Sequence, residues 1–464
     1  MFPFIIAMFV ILAFSLAIIA IFKDRFSYYI AAASSSIILI LNAAIDIEAY
    51  TNGWPSLSAY LYLPFLSSNL TFTFNPTSAI LVTMSSIVIF VSVIADIKNL
   101  QKKGMAFLVM LFEFATIGLF TSASLLSFYI FWDIGVAASF FMINNFGGPI
   151  RHKAAMKFLI YSFAASALLL FGILLIYFLP SVHTFNIGSI VATQIPDSVQ
   201  TIIFAVLLSA FMIKASIFPL HSWMPDAYSE APTSGSMLLA GILSKYGMYG
   251  ILLLFIMLPI SAKLSFYIMC IAFISTFYSA FVMIQQRDIK RMLGFMSMAE
   301  LSFLLIGISS ANPIGIFGGT FGLLSHGFSI ALLFLVAGSM EYIFSSRNIA
   351  FLKGVIKSSV STFYSFIIGI FASLGLPLTT AFVADLLVSI GAFKAFGFIA
   401  LLPLLAFVLI AAYAYYVIEI ISYTKSVNES NFLIGKTYKF GYAVLILCIF
   451  IFGLMPFIFT WMIS

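Results

Sequence analysis

Apolar runs of 18 residues or more, parted by short polar segments, fill almost the whole chain. They fall at 2–22, 27–45, 76–95, 104–121, 124–143, 154–179, 199–219, 231–259, 264–284, 292–310, 313–340, 359–394, 398–423 and 440–462. A helix needs about 20 apolar residues to cross the hydrocarbon core of a bilayer. No water is available there, so a spanning segment must satisfy its own peptide groups. The pattern predicts an all-α polytopic membrane protein with about fourteen transmembrane helices. No basic residue precedes the first run and no small-residue cleavage site follows it. It reads as a retained span rather than a signal peptide.

Two runs carry helix-breaking sequence in mid-membrane. One is Lys214–Pro225, with Pro219 and Pro225; the other is "LGLPLTT" at 374–380, with Gly375 and Pro377. Unwound backbone at that depth is tolerated only where it is buried in protein or lines a wet cavity. It exposes helix ends and carbonyls able to hold ions or water. The breaks fall in the seventh and twelfth spans. Spans four to eight and nine to thirteen then form two five-helix repeats, each with a broken helix. The odd span number inverts the second repeat relative to the first. The expected organisation is helices 1–3 in residues 1–103, the first repeat in 104–259, the second in 264–423, and the last helix in 424–464.

Charge sets the orientation. Seventeen of the 21 Lys and Arg residues lie in loops after odd-numbered spans, among them Lys23, Lys98, Arg151, Arg287, Arg347 and Lys425. Loops after even-numbered spans hold only Lys263 and Lys394. By the positive-inside rule the odd loops are cytoplasmic and both termini are outside. Composition agrees with a bilayer as solvent. Residues of the AVILMFWYC set make up 63% and charged residues 8%, against roughly 25% charged in soluble domains. Mean hydropathy is +1.18. A soluble enzyme, a disordered tail and a disulfide scaffold are excluded. The basic excess is spread over short loops, which is topology rather than a nucleic-acid footprint.

No GxGxxG stands at a strand–helix junction and no P-loop is present, so the chain offers no visible place for a nicotinamide, a flavin or ATP. Cys270 and Cys448 are two isolated cysteines in apolar runs. An iron–sulfur cluster usually takes about four thiolates.

Two basic residues belong to no loop: Lys214 and Lys245. A lysine near the middle of a span costs about 2.5–3.5 kcal/mol on insertion scales. Snorkelling to an interface would relieve that, but apolar sequence flanks both. Asp133 follows "SFYIFW", and Asp385 lies in "LTTAFVADLLVSIGAF". Glu300 stands about ten residues into the segment that begins at Arg291, and Glu113 is mid-span. Glu341 and Glu419 are close to cytoplasmic span ends and read as interfacial. His221 and His326 are set in apolar sequence. A lone histidine there is ordinarily a hydrogen-bonded core residue. Beside buried amines and carboxyls it can relay a proton near neutral pH. No two histidines stand at i,i+3 or i,i+4, which disfavours a metal site.

The segment "KASIFPLHSWMPDAYSEAPTSGSMLLAGILSKYGMYG" (Lys214–Gly250) resembles the signature of the antiporter-like subunits of respiratory complex I and of the Mrp antiporters. "QQRDIKRMLGFMSMAELSFLLIGI" (Gln285–Ile308), "SHGFSIALLFLVAGSMEYIFSSRNIAFLKG" (Ser325–Gly354) and "ASLGLPLTTAFVAD" (Ala372–Asp385) fit the same family. Matching blocks run from about residue 104 to 394. The resemblance implies roles residue by residue. Asp133 takes the place of the fifth-span glutamate that pairs with the central lysine. Lys214 matches the lysine of broken span seven, His221 the histidine of the motif, and Lys245 the lysine of span eight. His326 matches the histidine of span eleven, and Asp385 the acidic residue of broken span twelve. An acidic residue at 385, Ile330 in place of a lysine, and a chain ending at Ser464 favour the M type within the family. Two features depart from the pattern: aspartate stands for glutamate at 133 and 385, and Tyr228 for the usual histidine.

The function implied is that of a proton-translocating membrane-arm subunit. The larger assembly would be a complex I-like quinone oxidoreductase using NAD(P)H, ferredoxin or F420. Protons would pass laterally from Lys214 through His221 and Lys245, past His326, to Asp385, with Glu300 contributing. No cofactor is expected on this chain; iron–sulfur clusters, flavin and quinone belong to partner subunits. The implied partners are other antiporter-like and small membrane subunits, peripheral iron–sulfur subunits acting indirectly, and the lipid of a prokaryotic plasma membrane, with no nucleic acid. The alternatives are a subunit of an Mrp-type cation/proton antiporter, or of a membrane-bound hydrogenase or sulfur reductase. An inert scaffold subunit is disfavoured by the cost of its intramembrane charges.

Overall fold

The computed structural model describes residues 2–21, 24–52, 58–63, 68–422 and 435–456. Lys23, Lys425 and the end of the last expected span lie outside the described residues.

Helices α1 (Phe2–Ile21) and α2 (Asp24–Asn52) lead to a hairpin of β1 (Ser58–Leu63) and β2 (Ser68–Thr73), paired antiparallel with Ser58 opposite Thr73. This hairpin is the one sheet among the described residues and an addition to the all-helical expectation. Next come α3 (Pro76–Ala95), α4 (Ile97–Leu100), α5 (Lys103–Phe120), α6 (Leu125–Phe146) and α7 (Arg151–Tyr177). A short α8 (Ile187–Val191) precedes α9 (Asp197–Lys214) and α10 (Met224–Glu230). α11 (Thr233–Leu238) passes through a π turn, Leu239–Leu243, into α12 (Ser244–Met257). Then follow α13 (Ile260–Met283), α14 (Ile289–Ser309), α15 (Pro313–Phe344), α16 (Val355–Ser358), α17 (Val360–Ser373), α18 (Thr380–Phe396), α19 (Leu404–Ser422) and α20 (Lys436–Leu454). Among the described residues, thirteen helical segments are long and apolar enough to cross a membrane. Gly104–Phe120 and Val360–Ser373 are shorter apolar helices.

The packing is that of a membrane bundle. The apolar cores of α14 and α15 are buried throughout. Peripheral helices turn Phe14, Ile40, Phe163 and Val408 outward, as a protein surrounded by acyl chains does. Helix starts carry local signals. Asn75 and Asn312 cap α3 and α15, accepting from Ser78 N at 2.9 Å and Gly315 N at 3.0 Å, each with a proline next in sequence. Asp288 caps α14 through Lys290 N and Arg291 N. Such caps satisfy donors that the first helical turn leaves open.

The loops expected on one side gather there. Arg347, after α15, meets Glu230 at 2.7 Å and Asp288 at 3.1 Å. Lys290 meets Glu341 at 2.6 Å. Asp226 holds both Arg291 and Lys157, the latter at 2.8 Å. Burial works against the Arg347 charge, but Asp288, Glu230 and Glu341 together hold its pKa above the ordinary guanidinium value. This network ties the ends of α7, α10, α14 and α15 into one polar floor.

Candidate functional site

Both mid-membrane breaks are real and are made the same way. α9 ends at Lys214, Ser216 adopts a left-handed φ of 58°, and Ile217 N bonds back to Met212 O at 3.0 Å. α17 ends at Ser373, Gly375 adopts φ of 71°, and Leu376 N bonds back to Phe371 O at 3.0 Å. Each is a helix end closed by a left-handed residue and a six-to-one hydrogen bond. Trp223 Nε1 donates to Ile213 O at 2.8 Å, occupying another carbonyl that the first break frees. Lys214 closes the first half-helix, whereas Asp385 lies inside α18, beyond the second break. The two residues are therefore not at equivalent points of their broken helices.

Lys214 is 1% exposed, and among the described residues its Nζ has no hydrogen-bond partner. It lies 5.4 Å from the Trp132 ring centroid and 5.1 Å from that of Phe158. Aromatic faces attract a cation most strongly when it is desolvated. Asp133 acts on Lys214 electrostatically but does not pair with it directly. Its Oδ1 instead accepts from Ser166 Oγ at 2.5 Å, and Trp132 Nε1 donates to the same Ser166 oxygen at 3.2 Å. Carboxylate and amine are thus joined through one serine and one indole.

Lys245 is fully buried on α12, just past the π turn. Its Nζ donates to Ala240 O at 2.9 Å, a carbonyl inside that turn, and lies 2.5 Å from His326 Nδ1. His326 Nε2 meets Ser297 Oγ at 2.9 Å. Single π turns inside helices recur at functional sites because they redirect backbone groups. Here the turn hands the lysine an oxygen.

Beyond His326 lies a cavity of about 10 Å³ lined by Glu300, Ser325, His326, Ser373 and Asp385, with apolar neighbours. That is about the volume one water needs. Among the described residues, Glu300 Oε1 and Ser373 Oγ are buried without hydrogen-bond partners. Asp385 is half-buried, and its Oδ2 lies against Gly375, where a Cβ would come within 2.7 Å.

Six of the seven expected residues therefore form two groups: Asp133 with Lys214, and Lys245, His326, Glu300 and Asp385 in sequence. His221 stands apart. Its ring packs on Tyr278 at 4.9 Å and on Phe218 at 5.9 Å, Nδ1 has no partner, and neither lysine touches it. Between the two groups stands Tyr228 instead. Its Oη donates to Leu239 O at 3.3 Å; Ser244 Oγ donates to Ala240 O at 2.9 Å, and among the described residues Ser216 Oγ has no hydrogen-bond partner. Sequence reasoning missed Ser166, Ser297, Ser373 and the position of Tyr228. Serines are too common to stand out, and only Tyr228 carried a signal, as a departure from the motif.

Among the described residues no three His, Cys, Asp or Glu side chains gather as a metal ligand set.

A family model described as NADH:quinone oxidoreductase/Mrp antiporter, TM, matches residues 122–410. The chain belongs to this family. NADH-quinone oxidoreductase subunit M of Rickettsia prowazekii (strain Madrid E) is 31% identical over 446 residues, covering 93% of this chain and 90% of its own. F(420)H(2) dehydrogenase subunit M of Methanosarcina mazei is 31% identical over 434 residues, covering 90% and 86%. The resemblance read from the motifs is borne out, and both relatives carry the M designation. Among solved structures, a chain of respiratory complex I from Thermus thermophilus with bound NADH aligns with TM-score 0.89 at 22% identity, covering 99% of this chain and 97% of its own. A chain of the Mrp complex from Dietzia sp. DQ12-45-1b gives 0.86 at 18% identity, covering 97% and 94%. The antiporter-like fold is common to both, so it is the closer sequence relatives that favour the oxidoreductase branch.

Proposed function

We propose that this antiporter-like chain is a proton-translocating membrane-arm subunit of a complex I-like quinone oxidoreductase. Its relatives named as NADH-quinone oxidoreductase and F(420)H(2) dehydrogenase subunits M support that assignment. The partners are other antiporter-like and small membrane subunits of the arm. Iron–sulfur clusters, flavin and quinone reside on other chains, and the redox reaction happens there. The assembly sits in a prokaryotic plasma membrane with both termini of this chain outside. Helices α5 to α12 and α13 to α19 form its two inverted repeats, a reading supported by the matched construction of the two breaks.

The observation that carries the proposal is the contact of Lys245 Nζ with His326 Nδ1 inside a fully buried setting. When Lys245 is an ammonium, it donates to Nδ1 while Nε2–H donates to Ser297. Transfer of that proton leaves a neutral amine and an imidazolium. The imidazolium then releases its Nε2 proton toward the Glu300–Asp385 cavity. The amine is free to take another proton by way of Tyr228, Ser216 and Ser244. Lys214 supplies it when Asp133, held by Ser166, withdraws its field. Nearby opposite charge favours the protonated amine and burial disfavours it, so the pair titrates as a unit. Asp133 is only partly buried, so a neighbouring subunit can reach it.

Purification of the assembly, mass spectrometry of its chains and reconstitution into vesicles test the assignment. Co-purifying iron–sulfur subunits and quinone-dependent proton uptake support it. An assembly without redox subunits that exchanges sodium for protons supports the Mrp reading instead.

A further inference from the structure

Glu113 lies on α5 and is 0% exposed. Among the described residues, neither of its carboxyl oxygens has a hydrogen-bond partner. It stands ten residues from the start of α5 at Lys103, about 15 Å at the rise of a helix, and seven from its end at Phe120. Asp133 stands eight residues into the antiparallel α6, so the two carboxyls share one depth in the bilayer. One turn beyond Glu113, Thr116 Oγ1 and Tyr246 Oη share a hydrogen bond of 2.7 Å. Phe112, next to Glu113, stacks on the Tyr246 ring with centroids 6.1 Å apart. On α6, Gly135 leaves the room this tyrosine needs, since a Cβ there would come within 2.8 Å of its ring. Tyr246 follows Lys245 in sequence and packs on Trp132, the indole beneath Lys214.

A buried carboxyl without donors is costly and returns no stability. A packing role would be served better by leucine. We propose that Glu113 is an additional protonation site of this chain, a proton store that exchanges with the central path through the Thr116–Tyr246 hydroxyl pair. The carboxyl O–H gives its proton to the hydroxyl pair, the pair passes one on toward the lysines, and the carboxylate is reprotonated by the reverse route. Among the described residues, no opposite charge acts on Glu113. Its proton therefore leaves as positive charge appears on a lysine and returns as that charge moves on.

This inference rests on the proton-path reading, and the test separates the two. Glu113→Gln, Glu113→Leu, Glu113→Asp and Lys214→Ala are made in the complete assembly, which is purified and reconstituted. Proton uptake, quinone reduction, thermal stability and the infrared carbonyl band of protonated carboxylic acids are measured. The expected result is measurably slower proton uptake in Glu113→Gln and Glu113→Leu, with one carbonyl component lost. Glu113→Leu keeps or gains thermal stability, and Glu113→Asp recovers part of the uptake rate. Normal uptake in Glu113→Gln beside defective Lys214→Ala overturns the role of Glu113 alone. Normal uptake in both overturns the path as well. Loss of stability in Glu113→Leu without a change in the carbonyl band makes Glu113 structural and also overturns the inference.

Discussion

Lys245 Nζ and His326 Nδ1 are 2.5 Å apart, on α12 and α15, with no solvent access to either. An amine and an imidazole at that distance are hydrogen-bonded to each other. The imidazole is held in place by Ser297 on its far side. His326→Ala removes the acceptor and leaves Lys245 with Ala240 O alone. Proton uptake by the reconstituted assembly is expected to fall on the order of 10²-fold, the usual weight of a positioned acid–base group. Ser297→Ala, which frees the ring but keeps it, is expected to cost much less. Uptake rates of the two variants, normalised to quinone reduction, check this.

Asp133 is tied to Ser166, and Ser166 to Trp132 over Lys214. Asp133→Asn keeps the shape and removes the charge, so coupling is expected to fail while quinone reduction continues. Ser166→Ala lengthens the link and is expected to lower the proton-to-electron ratio partially. A normal ratio in Asp133→Asn would mean that this carboxylate does not switch Lys214.

Gly375 sits at φ 71° with the Asp385 carboxylate where a Cβ would be. Gly375→Ala carries a left-handed penalty of about 1–2 kcal/mol and also displaces Asp385. Reduced thermal stability together with reduced proton uptake is expected. Gly397 also has φ of 71°, but its ψ of −158° places it in an extended region open almost only to glycine, with nothing within 4 Å of its Cβ. Gly397→Ala is therefore expected to lose stability by the backbone term while uptake stays normal. The pair of variants separates backbone strain from displacement of the carboxylate.

Much of this was legible in the sequence because a bilayer punishes ambiguity. Runs such as 313–340 have one physical reading, and α15 occupies that run. The breaks were marked by Pro219 and Gly375, and Lys214 and Lys245 by their lack of any loop to belong to. The hairpin at 58–73 was hidden because its strands are only six residues each and lie in a connection between spans. The stray position of His221 was hidden too: a residue within an unwound segment has no helical periodicity to fix its facing. The same holds for Ser166 and Ser297, whose partners lie on other helices at depths that only packing sets.

Glu230 is almost fully buried where it meets Arg347, which also donates to Ser229 O. Removing one member of a buried pair leaves an uncompensated charge, worth about 3–5 kcal/mol. Arg347→Ala is expected to destabilise the assembly by roughly that much. The double change Glu230→Gln with Arg347→Gln is expected to cost less than Arg347→Ala alone. Thermal unfolding of the purified assembly gives the comparison.

The most direct measurement of the central claim is the number of protons translocated per electron pair by the reconstituted Lys214→Ala assembly. The account predicts an assembly that forms and reduces quinone, with the proton share of this subunit abolished. An unchanged ratio would contradict it, because the path could then run without the amine that the aromatic pair and Asp133 hold.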